Sequence, residues 1–361
     1  FKVSSNFGAK VDPKLASHVL APRRQDIFGH YLNLDDGRIV GTGRFAQNMS
    51  SLKGTVDRLQ CGKAKASPPI KHLLIFAHGA MTTRRDSAKR IRAWKNVFLA
   101  NGIYPLHIMW QTGFNSGIVD LIGDVLLKTR DRMGDHAERR DERLEELARP
   151  LGRKLWRDLK VSAEKTFEVN SDGARAMREV LAALYRNPQI QIHFTGVSAG
   201  SYLLAELTQL VQGLRLSIRS ATLFAPACNI RHYEKKIRNR VGPTIKSLMQ
   251  FNLSPDREAN DSVDIYGKSL LHLVSNALEI ETDRRLLGLQ RDVDGAMKGP
   301  LARPHAHVIH VAGQADTNIT DATTHHGFER DVATMNTLLN HILGDSGTTL
   351  TRFSEDDLHG Y

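Results

Sequence analysis

The chain has 361 residues and a formal net charge of +11, and 41% of its residues are apolar. This composition is ordinary for a globular protein, and no run approaches the ~18 apolar residues that a membrane helix needs. Two cysteines exclude a disulfide framework, and no secretory signal is recognisable, so we expect a cytoplasmic protein. The chain begins with Phe1, which leaves a removed leader open.

Residues 1–70 predict an N-terminal extension with a β-hairpin at 31–43, packed on the core. From residue 71 to 345, short apolar runs alternate with amphipathic stretches, which predicts one α/β domain with a mainly parallel central sheet of about eight strands and helices on both faces. Residues 346–361 then form a C-terminal tail. The predicted strands are 71–77, 103–110, 190–195, 221–225, 270–274 and 308–312, and the predicted helices are 87–100, 173–185, 201–212 and 331–343.

The stretch 117–167 contains no strand candidate. Its leucines recur every three or four residues, which predicts an amphipathic helix interrupted at Pro150. We interpret this stretch as a helical insertion that could cover the sheet as a lid. The alternative is an arm that binds a partner.

Gly196-Val197-Ser198-Ala199-Gly200 is the most informative motif. Glycines two residues before and after a serine permit a very sharp turn between a strand and a helix, and such a turn exposes the serine hydroxyl. A strand is predicted before this motif and a helix after it. We therefore predict that Ser198 is a nucleophile, with a purely structural turn as the alternative.

His78-Gly79-Ala80-Met81 follows the first buried strand of the domain. Acyl transfer places negative charge on a carbonyl oxygen, which backbone N–H groups must stabilise. We predict one N–H donor from Ala199 and another from Ala80 or Met81. Gly79 would let the backbone approach closely, and His78 would anchor the loop.

Thr324-His325-His326-Gly327-Phe328 follows the last predicted strand. A serine hydroxyl becomes an effective nucleophile when a neighbouring imidazole takes its proton. The position of this pair after the final strand selects His325 or His326 as that base.

These motifs, together with Phe224-Ala225-Pro226-Ala227-Cys228 and residues 270–279, resemble the α/β-hydrolase superfamily, and more narrowly bacterial hydrolases of unassigned substrate. The resemblance covers residues 70–345 and implies an eight-stranded sheet, a Ser–acid–His triad and no cofactor. In similar proteins the last motif reads histidine, two glycines and phenylalanine. That alignment favours His325 and puts His326 in a glycine position, so the choice between them stays open.

The family order places the triad acid after the penultimate strand, which makes Glu279 the first choice. Asp316 resembles the usual acid turn but lies too close to His325 for an intervening strand. Further alternatives are Glu281, Asp283 and Asp331.

Two basic stretches, 84–95 and 231–246, carry most of the net charge. They predict either solvated helix faces or attraction to an anionic substrate or membrane surface. No aromatic residues are interleaved with them as stacking platforms for bases, which argues against a nucleic-acid partner. His305, His307 and His310 lack the spacing of a known metal motif, so we expect no metal.

The sequence thus predicts a serine hydrolase that cleaves a small-molecule or lipid-like carboxylic ester through an acyl-enzyme, as a carboxylesterase or lipase does. Acyltransferase, thioesterase or peptidase chemistry on the same triad is one alternative. The other is a non-catalytic module that binds a partner or an anionic membrane.

Overall fold

A computed structural model of the chain describes residues 21–61, 68–111, 114, 137–262, 266–280, 284–297, 304–314, 319–344 and 351–358. Eight strands form one sheet in the order β2-β1-β4-β3-β5-β6-β7-β8. The first two pair antiparallel, and every other neighbouring pair in this sheet is parallel. The strands are β1 (Tyr31–Asp35), β2 (Arg38–Ile39), β3 (His72–Ala77), β4 (Ile103–Gln111), β5 (Gln191–Val197), β6 (Ile218–Phe224), β7 (Leu248–Leu253) and β8 (His307–Ala312).

Helices surround this sheet, so the predicted α/β class with a mainly parallel sheet is confirmed. The hairpin predicted near residue 31 also forms, and its first strand joins the sheet beside β4. The helices are α1 (Lys53–Cys61), α2 (Arg84–Ala100), α3 (Ala137–Thr166), α4 (Asp172–Tyr185), α5 (Gly200–Gly213), α6 (Ile230–Lys236), α7 (Pro255–Asn260), α8 (Leu270–Leu273), α9 (Gln290–Ala296), α10 (Val332–Leu343) and α11 (Glu355–Leu358).

The direction of the chain across the sheet reverses at β3. From β3 the chain crosses to β4 on one side, and its next strand, β5, lies on the other side of β3. Loops that leave neighbouring strands in opposite directions open a crevice at the carboxyl ends of those strands, and ligands of open α/β sheets bind there. The loop after β3 begins at His78, and the turn after β5 contains Ser198.

The prediction of a strand at 270–274 is wrong. Leu270–Leu273 is a helix, capped by the Ser269 side chain, and a π-helix continues it over Val274–Leu278. A short apolar run that is buried on all sides has no periodicity to separate a strand from a helix. The penultimate strand is instead β7, and the segment after it leads through α7 to Asp261.

The described part of the predicted insertion is the long helix α3, which packs on the rest of the domain through a buried apolar side. Asp141 and Glu145 fasten it further: Asp141 accepts a hydrogen bond from the Gly267 N–H (3.1 Å) and Glu145 accepts one from the Tyr266 hydroxyl (2.7 Å). This part of the insertion therefore does not extend as a free arm. The buried apolar residues are Leu144, Ala148, Trp156, Leu159 and Ala163.

Residues 351–358, within the predicted C-terminal tail, also pack on the domain. Phe353 is buried and meets the ring of Phe98 edge to face, with 5.2 Å between ring centroids. Among the described residues, no helix combines the length and apolarity needed to cross a membrane.

Candidate active site

Ser198 occupies the tight turn between β5 and α5. Its backbone is left-handed, with φ of +50°, a conformation that non-glycine residues rarely adopt. Hydrogen bonds hold it there: its N–H donates to Phe224 O (2.8 Å), and its carbonyl accepts from Ala227 N (3.0 Å). Strain that surrounding bonds maintain in this way is concentrated at functional sites.

The two motif glycines are required by the crowding of this turn. A Cβ on Gly200 would lie 2.3 Å from the carbonyl oxygen of Ala77, and a Cβ on Gly196 would lie 2.7 Å from Leu204 Cδ1. The first of these contacts involves backbone and cannot be relieved by a side-chain movement. The turn therefore has the sharpness that the pentapeptide predicts.

The loop after β3 lies directly against the serine. A Cβ on Gly79 would be 3.3 Å from Ser198 Cβ. The ring Nδ1 of buried His78 donates to Gly79 O (2.8 Å), and His78 O accepts from Trp110 Nε1 (3.1 Å). Burial lowers the pKa of His78 to about 4. His78 is thus a neutral imidazole whose ring is bonded to the loop backbone.

Backbone N–H groups point to a candidate oxyanion hole. In the described part of the chain, no hydrogen bond uses the N–H of Ala199, which directly precedes α5, and the same holds for the N–H of Met81. Ala80 is buried and Met81 is half-buried. Free amides at the amino end of a helix favour negative charge.

His325 and His326 lie in the loop before the short 3₁₀ turn Phe328–Arg330. The ring of His325 is fully buried, and neither of its nitrogens has a hydrogen-bond partner among the described residues. Burial, with a smaller contribution from His326, holds the pKa of His325 well below 6.5. A buried polar ring without partners is costly, and such exceptions call for a functional explanation.

His326 differs from its neighbour because its side chain is exposed. Protein atoms around the ring nevertheless remove enough water to lower its pKa. The carboxylate of Asp261 acts in the opposite direction and favours the protonated ring.

Asp261, which the sequence interpretation missed, is the carboxylate that the structure brings to the histidine pair. It is buried at the end of α7, and its Oδ2 accepts a hydrogen bond from the backbone N–H of His325 (2.7 Å). Its position after the true penultimate strand was the available signal. The sequence interpretation counted from residues 270–274 and so passed over it.

The structure does not bring Glu279 to either histidine. Within the described chain, this buried carboxylate makes no hydrogen bond or ion pair with His325 or His326. Instead it lies between α3 and α5, where four side chains donate to it. The donors are Trp156 Nε1 (2.9 Å), Lys160 Nζ (3.0 Å), Tyr202 OH (3.3 Å) and Asn229 Nδ2 (3.3 Å).

The other acid candidates do not add a second carboxylate at the histidines. Asp316, Glu281 and Asp283 lie outside the described residues. Asp331 caps α10, where its Oδ2 accepts from Thr334 N (2.9 Å) and from Asp321 N (2.9 Å). The Asp331 carboxylate therefore accepts hydrogen bonds from the start of α10 and from the Asp321 backbone.

Ser198 Oγ makes no hydrogen bond to the ring of His325 or His326 among the described residues. Among the hydrogen bonds of the described residues, none involves Ser198 Oγ. Bonds between catalytic groups are often long or poorly aligned in a protein without substrate and shorten when substrate binds. The serine side chain itself is buried in the turn.

A buried ion pair connects helix α2 with the histidine loop. Arg90 of α2 pairs with Glu329, four residues after His325, and both side chains are buried. The Arg90 guanidinium lies 5.4 Å from the ring centroids of Phe76 and Trp94. The positive charge of Arg90 also lowers the pKa of His326, although burial is the larger cause.

The basic stretches are partly used by the fold. Arg90 lies within the first stretch, and in the second Lys236 forms an ion pair with Glu206 (3.2 Å). His307 bonds Tyr233 OH (2.8 Å) and Gln250 Oε1 (3.0 Å). Among the described residues, no three His, Cys, Asp or Glu side chains are grouped so that they could hold a metal ion.

Fold and site together define an α/β protein with a strained serine in the crevice between the loops that follow β3 and β5. Comparison with protein-family models, with curated proteins and with solved structures gives no match.

Proposed function

We propose that the chain is a serine hydrolase of the α/β-hydrolase type that cleaves carboxylic esters through an acyl-enzyme on Ser198. One observation carries the proposal: Ser198 is held in a left-handed turn with Gly79 of the neighbouring loop against it. That arrangement places the serine between two backbone segments that can supply oxyanion donors.

In the proposed reaction, His325 takes the Ser198 proton while Oγ forms a bond to the ester carbonyl carbon. The N–H groups of Ala199 and of Ala80 or Met81 hold the resulting oxyanion. The C–O bond to the alcohol then breaks, and the imidazolium returns its proton to that oxygen. Water attacks the acyl-enzyme by the same route and releases the carboxylic acid and free Ser198.

His325 is the better candidate for the base on physical grounds. Its buried ring is neutral at pH 7 and has no hydrogen-bond partner among the described residues, so one nitrogen is available for the serine and the other for an acid. His326, with its exposed side chain, is the alternative base.

Asp261 is the better candidate for the triad acid, in place of Glu279. It already contacts the backbone of His325, and its charge acts on the ring of His326. A carboxylate in this position orients the imidazole and stabilises its protonated form.

An ester is the proposed substrate, because an alcohol leaving group demands less from the acid catalyst than the amine of an amide does. A lipid-like ester is the preferred class of substrate. Leu151 and Val161, which are exposed on α3, are the apolar side chains of this helix that an acyl chain would contact. Exposed cations of the two basic stretches, such as Arg85 and Lys235, would attract an anionic substrate or membrane surface.

A fluorophosphonate probe tests the proposal because it labels activated serines covalently. We expect labelling of the wild-type chain and none in Ser198→Ala. The matched control is Ser217→Ala, which removes an exposed serine at the opposite end of the sheet and should label normally. Failure of the folded wild-type chain to label would contradict the proposal.

The absence of a hydrogen bond to Ser198 Oγ among the described residues favours one alternative, a non-catalytic module with a hydrolase-like fold. The same labelling experiment decides between them, because such a module has no activated serine. For a labelled protein, rates on ester, thioester and amide substrates, with and without alcohol acceptors, then separate hydrolysis from acyl transfer.

A further inference from the structure

A groove with a volume of about 440 Å³ lies at the amino ends of β5 and β6. Ser198 follows the carboxyl end of β5, and a strand of that length spans about 20 Å, so the groove is remote from the candidate active site. Its volume is within the range of small-molecule sites. The lining residues are Leu184, Tyr185, Pro188, Ile190, Gln191, Ile192, Leu216, Ser217, Arg219 and Lys246.

Two cations stand side by side at this groove. Ala221 pairs with Leu248 between β6 and β7, and the bridge between Ile218 and Ile245 has the same register. Arg219 is therefore directly opposite Lys246. Neighbouring strands are about 4.8 Å apart, and like charges at opposed positions of a sheet destabilise it.

Neither cation is neutralised by an acid in the described chain. Arg219 has no hydrogen bond or ion pair there, while the Lys246 ammonium donates to the carbonyl oxygen of Pro243 (2.7 Å). No Asp or Glu is among the described residues that line the groove. The positive charge of Arg219 also affects His341. Burial is the main reason that the pKa of His341 is lowered to about 4, and Arg219 lowers it further.

Apart from Gln191 and Ser217, the other residues that line the groove are apolar or aromatic. Leu184, Ile190 and Ile192 are buried side chains that form its floor, and Leu216 is half-buried beside them. Tyr185 forms the rim, where its ring is 60% exposed and its hydroxyl donates to Leu214 O (2.8 Å). Apolar walls with a few convergent polar groups are typical of ligand sites.

We propose that this groove binds a free carboxylate with an apolar chain, with Arg219 and Lys246 holding the carboxylate and the Leu184–Ile190 floor holding the chain. Charge complementarity selects an anion, since two cations that have no acidic partner among the described residues line the same groove. The apolar floor selects a ligand with a hydrocarbon body over a simple inorganic anion. The inference does not depend on the chemistry proposed at Ser198.

Titration calorimetry with decanoate, below the concentration at which it aggregates, tests the inference. The protein is full-length Ser198→Ala, which keeps the groove intact and prevents turnover. We expect one decanoate to bind per chain, and acetate and neutral decanol to bind much more weakly. Each of Arg219→Gln and Lys246→Gln should weaken decanoate binding about tenfold, because charge-assisted hydrogen bonds are lost.

Lys154→Gln is the matched control, since it removes an exposed cation of α3 away from the groove, and its decanoate affinity should equal that of the parent. Without ligand, Arg219→Gln should raise Tm because it removes the like-charge contact. Absence of decanoate binding, equal binding by the groove variants, equal binding of decanol, or a lower Tm of Arg219→Gln would each overturn the inference.

Discussion

Gly79 and Ser198 lie so close together that a Cβ added to the glycine would be 3.3 Å from the serine Cβ. Gly79 belongs to the loop after β3, and Ser198 belongs to the turn after β5. These are the two neighbouring strands from which the chain continues toward opposite edges of the sheet. Backbone donors from both segments can therefore face one reacting atom. This relationship makes Gly79 the most direct probe of the candidate oxyanion hole.

Gly79→Ala should reduce kcat/KM for an ester about tenfold to hundredfold. The added methyl group must displace the loop or the serine by a few tenths of an ångström, and small misplacements of catalytic groups are costly. The rate of fluorophosphonate labelling should fall in parallel. Gly213→Ala, where no atom lies within 4 Å of the added Cβ, is the control and should be fully active. An unchanged rate in Gly79→Ala would remove the loop from the site.

His325→Gln should abolish ester hydrolysis, and His326→Gln should reduce it less than about tenfold, because only the ring of His325 is sheltered and unpartnered among the described residues. Burial lowers the pKa of His325, so the neutral base persists as the pH falls below 6.5. The wild-type kcat/KM should therefore be half-maximal below pH 6.5. If His326→Gln were the inactive variant, the base would be His326.

Asp261→Asn should reduce kcat about 10³- to 10⁴-fold, since a neutral amide orients the imidazole wrongly and does not stabilise its charge. The parallel variant Glu279→Gln should retain activity within a few-fold. It should lose about 2 kcal/mol of unfolding free energy, because Lys160 and three other donors lose a charged acceptor. Urea unfolding and ester kinetics on both variants give the comparison. Inactive but stable Glu279→Gln would restore Glu279 as the acid.

The sequence did not single out Asp261, the proposed triad acid, because the strand before it, β7, was not recognised. β7 contains Gln250 and Asn252, which break the apolar run that marked the other buried strands. Both are fully buried and satisfied internally, with Gln250 Nε2 donating to Asn252 Oδ1 (2.9 Å) and to Leu287 O (2.8 Å). Such long-range partners cannot be read from local sequence. Ser254-Pro255, a helix-starting pair, was the local hint that a strand had just ended.

The turn at Ser198, in contrast, was predictable because its determinants are local. Gly196 and Gly200 are required by atoms within the turn and by one neighbouring strand, and β5 and α5 flank it as their apolar patterns indicate. β3 and β4 were predictable for the same reason, since their side chains are almost entirely buried and apolar. The choice of acid depended on contacts between distant segments, so local pattern could not make it.

Arg90→Met should reduce the free energy of unfolding by about 3 to 5 kcal/mol, because it leaves the buried carboxylate of Glu329 without its main counter-charge. The double variant Arg90→Met/Glu329→Gln removes that charge and should recover part of the loss. Urea unfolding at pH 7.5 measures both. A single variant as stable as wild type would mean that the pair does not hold α2 to the histidine loop.

The structure also predicts that the protein is unstable in acid, because many of its histidines are buried or half-buried as neutral rings. Burial lowers the pKa of six of them from 6.5 to about 4. These are His30, His72, His78, His232, His272 and His341. Below pH 6.5 the unfolded chain binds protons at these rings while the folded chain does not, so protonation favours unfolding. Their stabilisation is therefore complete above pH 6.5 and is lost as the pH falls toward 4.

Burial also raises the pKa of Glu206 and of Glu329, and these carboxyls oppose the trend together with Glu258. Burial raises the pKa of Glu258 from 4.5 to about 8, so its contribution to stability increases as the pH falls through that range. The six histidines outnumber these carboxyls, and each pKa unit corresponds to about 1.4 kcal/mol per group. Urea midpoints at pH 7.5, 6.0 and 5.0 should decrease in that order. In Glu258→Gln the decrease should be steeper, because an opposing group is gone. A midpoint independent of pH would contradict the lowered pKa of these histidines.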